Sequence, residues 1–129
     1  MPESRPSVLT ELAQYVKIYE QLLSYRFRTD VPTTTLIDSP APVSGIAIYS
    51  DGSTAWVITR GDYALGQIRV YLQDPARTYF SIASLKNVWL HEFLHHVDHT
   101  FGIPCPVDHN DLFRDRLIRA GLWEPDGEL

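Results

Sequence analysis

The chain has 129 residues, 44% of them hydrophobic and 12% aromatic, which suits one domain, 1–129, with enough apolar side chain for a real core. A formal net charge of −5 leaves no electrostatic footprint for nucleic acid or an anionic membrane surface. A single cysteine, Cys105, excludes an internal disulfide, and no apolar run approaches the roughly 20 residues that a membrane span needs. Met1 to Ser7 lack the basic-then-apolar order of a signal peptide, so a cytoplasmic protein is expected.

In chain order, the spacing predicts a helix from Ser7 to Arg28. Val8, Leu12, Tyr15, Val16, Tyr19, Leu22 and Leu23 recur at three and four, with Glu and Lys on the other face. Thr29 to Ser44 carries Pro32, Pro40 and Pro42 and should hold only a short extended piece, Thr33 to Ile37, before a loop. Gly45 to Ser50 and Thr54 to Arg60 flank Asp51-Gly52, a pair that supplies positive φ and predicts a tight hairpin. Gly61 to Gly66 reads as a second turn. Gln67 to Gln73 alternates, with Ile68, Val70 and Leu72 inward and Gln67, Arg69 and Tyr71 outward, as a strand at the rim of a sheet would.

Asp74 to Phe80 is a connector, after which Ser81 or a neighbour caps a helix running to about Phe101. Gly102 ends it and Pro104 and Pro106 prevent resumption. Cys105, between those prolines, is expected to be a small apolar packing residue. Asp108 is the expected N-cap of a last helix, His109 to Ala120, stopped by Gly121. Residues 1–7 and the acidic 124–129 are expected to be flexible. The class is therefore α+β: an N-terminal helix, a small antiparallel meander of three or four strands, and two further helices.

The first of those two helices carries His91-Glu92-Phe93-Leu94-His95, an H-E-x-x-H run. Residues four apart on a helix project from one face a turn apart, so His91 and His95 can aim two imidazole nitrogens at one point. A catalytic Zn²⁺ ion there would have two of its three protein ligands. Glu92, about 100° around the helix, flanks that point as a general base should. Leu90, Phe93, Leu94, Val97 and Phe101 form one apolar arc, and His91, His95 and Asp98 fall on the arc beside it. The motif thus runs along the border of a buried face, where a cleft wall would lie.

The third ligand follows from reach. His99 stands about 12 Å along the axis from His91, too far for bonds of about 2 Å, and Asp98 is over 10 Å away. His96 lies about 140° from His91 and points elsewhere. Asp98 is expected instead to hydrogen-bond a ligand imidazole or to cap backbone donors. From Phe101, eight residues give a contour of up to about 26 Å against roughly 9 Å back to the level of His95, so His109 returns easily. Phe113, a turn behind it, should pack into the core.

In this order the residues resemble the SprT-like zinc metalloprotease domain: helix, β-meander, the strand Gly-Gln-Ile-Arg-Val-Tyr-Leu, the His91-Glu92-x-x-His95 helix, then His109-x-x-x-Phe113. The resemblance covers most of residues 8 to 122 and is specific from Gly66 to about Ala120. It implies a minimal zincin fold with one zinc ion on His91, His95 and His109 and with Glu92 as catalytic base. Neither a Cys-rich zinc ribbon nor a basic segment follows, so the DNA-dependent proteolysis of some relatives is not expected. Minimal gluzincin-like folds share the layout but use Glu as third ligand, and Glu124 and Glu128 lie too far toward the tail for that.

The expected chemistry is zinc-assisted hydrolysis of a peptide bond in a protein or peptide substrate, which would pair with a free edge of the Gln67–Gln73 strand. Tyr63, Tyr71, Tyr79 and Arg116 are candidates for stabilising the oxyanion. The alternatives are a zinc-stabilised binding or regulatory module without proteolytic activity, and a purely structural zinc site.

Overall fold

The computed structural model describes residues 5 to 128; residues 1–4 and 129, parts of the two termini expected to be flexible, lie outside the described residues. The elements are α1 (Arg5–Phe27), β1 (Thr33–Pro40), β2 (Val43–Ile48), β3 (Thr54–Ile58), β4 (Gly61–Ala64), β5 (Gln67–Gln73), α2 (Ile82–Thr100) and α3 (Asn110–Arg119). The fold is α+β, as the patterning predicts. Val8, Leu12, Val16 and Leu23 of α1 are buried, whereas Leu22 stands exposed at the margin of that stripe.

The sheets differ from a meander. β5 is the middle strand of a three-stranded sheet ordered β1-β5-β4, parallel to β1 and antiparallel to β4. β2 and β3 form a separate antiparallel pair. The piece expected to be short, Thr33–Ile37, extends to Pro40 because β5 offers it a ladder: Thr33 pairs with Gln67 and Ile37 with Tyr71. Both edges of β5 are therefore occupied, and no substrate can pair with it. Its alternation has another cause than a free rim. Ile68, Val70 and Leu72 are fully buried against the helices, while Gln67 and Arg69 of the opposite face are exposed and Tyr71 half-buried.

Gly61–Ala64, read from the sequence as a turn, is the edge strand β4. The reversal is confined to Leu65 and Gly66, both at positive φ (49° and 82°), as in a type I′ hairpin turn. Gly61 is needed for packing rather than for a turn. A Cβ there would sit 2.8 Å from Val88 Cγ1, 2.9 Å from the Arg69 carbonyl oxygen and 3.4 Å from Glu92 Cγ. The missing side chain lets β4 lie against α2 beside Glu92.

Trp89 and Phe93 are the largest fully buried side chains of α2, which packs on α1, β4 and β5. Trp89 also donates its indole N–H to Thr34 Oγ1 at 3.0 Å. Ser81 caps α2, accepting from the Ser84 N–H at 3.1 Å, and Gly102 at φ 67° ends it. The N-cap of α3 is His109, without a side-chain cap, rather than Asp108. The tail expected to fray is docked. Buried Asn87 donates to the Glu124 carbonyl and accepts from the Glu124 N–H, and the Glu128 N–H donates to Ser84 Oγ at 2.9 Å. Among the described residues no helix is long and apolar enough to cross a membrane.

Because Gly61 has no room for a methyl group, Gly61→Ala is expected to lower stability by about 1–3 kcal/mol, the usual cost of overpacking. Urea denaturation should show it as a lower midpoint at unchanged slope. An unchanged midpoint would mean that β4 moves off α2 without cost.

Candidate metal centre

His91 and His95 lie on the cleft side of α2, and the return through Gly102 to Asp108 brings His109 onto them from the start of α3. One ring nitrogen from each of the three lies within 4.8 Å of the other two. The Nε2 atoms of His91 and His109 are 3.0 Å apart. Two ligands of a tetrahedral ion with bonds of about 2.05 Å stand about 3.3 Å from each other, so the His91–His109 pair is spaced to share one ion. The three residues could hold a metal ion.

The hydrogen bonds around the triad set its tautomers. A carbonyl only accepts, so His109 Nδ1 carries the proton that it donates to the Pro106 carbonyl at 3.2 Å. Its Nε2 lone pair is left facing His91. His91 is buried, and its Nδ1 has no partner among the described residues, which leaves Nε2 as the atom aimed at a ligand. Burial, with His95 and His109 adding, lowers its pKa to about 3, and burial also lowers that of His95. Both rings are therefore neutral at pH 7, the form in which imidazole binds metal.

The three rings are held from below by Phe113, fully buried in α3, whose ring centre lies 4.9 Å from His91, 4.8 Å from His95 and 4.9 Å from His109. One turn further on, Arg116 makes a two-pronged pair with buried Asp98 of α2, 2.9 Å at each contact. This corrects two expectations. The Asp98 carboxylate is held by Arg116 rather than by a ligand imidazole, and Arg116, also stacked on Phe113 at 5.0 Å, ties α3 to α2 instead of facing a substrate.

Glu92 is buried beside the triad, and burial, with Asp62 adding, raises its pKa to about 8. Asp62 is itself paired with Arg69 across the β4–β5 ladder at 2.7 Å. The cleft in front of these groups has a volume of about 610 Å³, with β4 on one side and Ile103 and Cys105 on the other. Cys105 is exposed there, not packed in the core as expected. The Arg60 carbonyl accepts from the Tyr71 N–H, which places the even-numbered peptides of β4 toward β5. Gly61 and Tyr63 consequently turn their N–H and C=O groups to the open edge.

Of the four oxyanion candidates only Tyr63 lines the cleft. Its hydroxyl is already engaged, donating to His96 Nδ1 at 2.8 Å and accepting from the Gly66 N–H at 2.9 Å. His96 is in turn anchored through Nε2, which donates to the Asp30 carbonyl at 2.7 Å. Tyr71 belongs to the sheet face turned from α2, and Tyr79 donates to Asp38 at 2.7 Å. His99 lies at the mouth of the cleft, exposed. The sequence reading missed β4 as the cleft wall, and the signal available was the alternation of Gly61 and Tyr63 with Asp62 and Ala64 directly before the two-residue turn Leu65-Gly66.

The chain was compared with protein-family models, with curated proteins and with solved structures, and none of the three comparisons gives a match. The geometry of the site therefore carries the functional argument.

Two outcomes follow. Phe113→Leu should keep the fold at a modest cost but weaken metal binding at least tenfold in a chelator competition, because the rings lose their common support; unchanged affinity would show that Phe113 is core filling only. Glu92 has the opposite sign of effect on stability. Its folded pKa lies above the ordinary 4.5, so metal-free protein loses stability as pH rises from about 4.5 to about 8. Glu92→Gln should therefore raise the melting temperature of metal-free protein at pH 8 and change it little at pH 4.5. A gain that is equal at both values would place its origin elsewhere.

Proposed function

We propose that this protein is a zinc metalloendopeptidase of the SprT-like kind, acting on extended segments of protein or peptide. One observation carries the reading: three convergent imidazoles, a buried carboxyl group and a strand edge left unpaired among the described residues meet in a single cleft. Imidazole ligands suit several divalent ions, and zinc is favoured because three nitrogen donors on a buried, rigid support leave one position of a tetrahedron open.

His91, His95 and His109 would hold the ion, which when bound supplies Lewis-acid polarisation of a carbonyl, acidifies water toward neutrality and favours the ionised form of Glu92. Glu92 accepts a proton from the attacking water and returns it to the leaving amine. The Gly61 and Tyr63 peptide groups of β4 hydrogen-bond the substrate backbone as an added strand, the role that the sequence reading gave to β5. Phe113 and the Asp98–Arg116 pair keep the imidazoles in place throughout.

Protein purified without chelator is expected to contain about one zinc per chain by elemental analysis and to cleave denatured casein. His109→Ala should lose the metal. Glu92→Gln should keep it and lose cleavage by at least a thousandfold, a general base together with its electrostatic role accounting for that scale. Zinc retained by wild-type protein with no cleavage of any denatured substrate would favour a zinc-stabilised binding module instead.

A further inference from the structure

The cleft is chemically asymmetric along β4. At one end stand Leu65, 84% exposed, and Ile103, 51% exposed. At the other, beyond Gly61, a polar cavity of about 290 Å³ shares His91 and Glu92 with the main cleft and is lined by Thr59, Arg60 and Asn110. Among the described residues Arg60 has no carboxylate partner; its guanidinium rests over the Phe80 ring at 4.9 Å. At about 3.4 Å per residue, the five steps from Arg60 to Leu65 span about 17 Å, the length of a six-residue extended peptide.

Leu65 is the telling residue. It holds φ 49° in a type I′ turn, a position where Gly, Asn or Asp costs least and a bulky side chain is a genuine outlier. Its side chain packs on nothing that would offset this, since most of it faces solvent. Backbone strain of this sort persists at ligand clamps, where the side chain acts on something outside the fold.

Resting on the metallopeptidase reading, we infer that the cleft selects extended peptide segments by their two ends: an apolar side chain over Leu65 and Ile103, and an acidic side chain at Arg60. The unpaired cation supplies charge complementarity at one end and the exposed apolar pair supplies burial at the other. The β4 edge between them fixes the register.

Binding tests this independently of turnover. Zinc-loaded Glu92→Gln protein is titrated with fluorescein-labelled octapeptides that carry Leu toward one end and Glu toward the other, in both orders, beside versions with Leu replaced by Ser or Glu by Lys. One order should bind best, at least tenfold tighter than its Ser version and about threefold to tenfold tighter than its Lys version. Arg60→Glu should invert the Glu-over-Lys preference. Leu65→Asn should raise the melting temperature while abolishing the Leu-over-Ser preference, a combination that a purely structural residue would not give. Equal affinity for all peptides, or a Leu65→Asn protein that keeps its preference, overturns the inference. Casein cleavage by wild-type protein without such preferences would overturn it and leave the peptidase reading standing, whereas preferences in binding with no cleavage would do the reverse.

Discussion

The docking of α3 on α2 is the constraint on which the rest of this molecule depends. Two of the three imidazoles belong to one helix and need nothing more than a spacing of four. The third arrives on a different element, so its position is only as good as the contact between the helices. Phe113 provides that contact from the apolar side, touching all three rings, and Asp98 with Arg116 provides it from the polar side in a two-pronged, largely desolvated pair. Removing one partner of such a pair leaves a buried charge unmatched, which is far costlier than losing an exposed bridge. Packing fixes the distance between the helices and the ion pair fixes their rotation.

The local parts of this arrangement were legible in the sequence. Helical periodicity found α1 and α2, Ser81 and Gly102 marked the ends of α2, and reach alone brought His109 back to His91 and His95. The non-local parts were not. Parallel pairing of β1 with β5 joins residues over thirty positions apart and leaves no mark on either strand, so β5 looked like a rim when it is a centre. Gly61 was read through its commonest use, a turn, when its use here is close approach to a helix. Arg116 and Asp98 are each unremarkable polar helix residues until α3 is folded back, and the tail reads as a frayed acidic end until Asn87 is seen to hold its backbone.

Burial does two opposed things at the centre of the site. The same low-dielectric surroundings that keep His91 neutral at low pH hold a proton on Glu92 near neutrality. A cation entering meets an uncharged His91 ring and a carboxyl group whose ionisation it favours. The fold accepts a cost in stability to present this chemistry, as Gly61 and Leu65 also indicate: one gives up a packing side chain and the other adopts an unfavourable backbone.

Adjacent histidines in a helix that could hold a metal ion carry a hazard, since an ion offered two neighbouring rings could settle on the wrong one. Here the ambiguity is removed by prior commitment. Both nitrogens of His96 are consumed, one by the Asp30 carbonyl and one by the Tyr63 hydroxyl, so it has no lone pair to lend and cannot act as a decoy for His95. The bonds that disarm it also rivet the α1–β1 connection and the β4 hairpin to α2, and discrimination between two chemically identical side chains becomes a by-product of ordinary scaffolding.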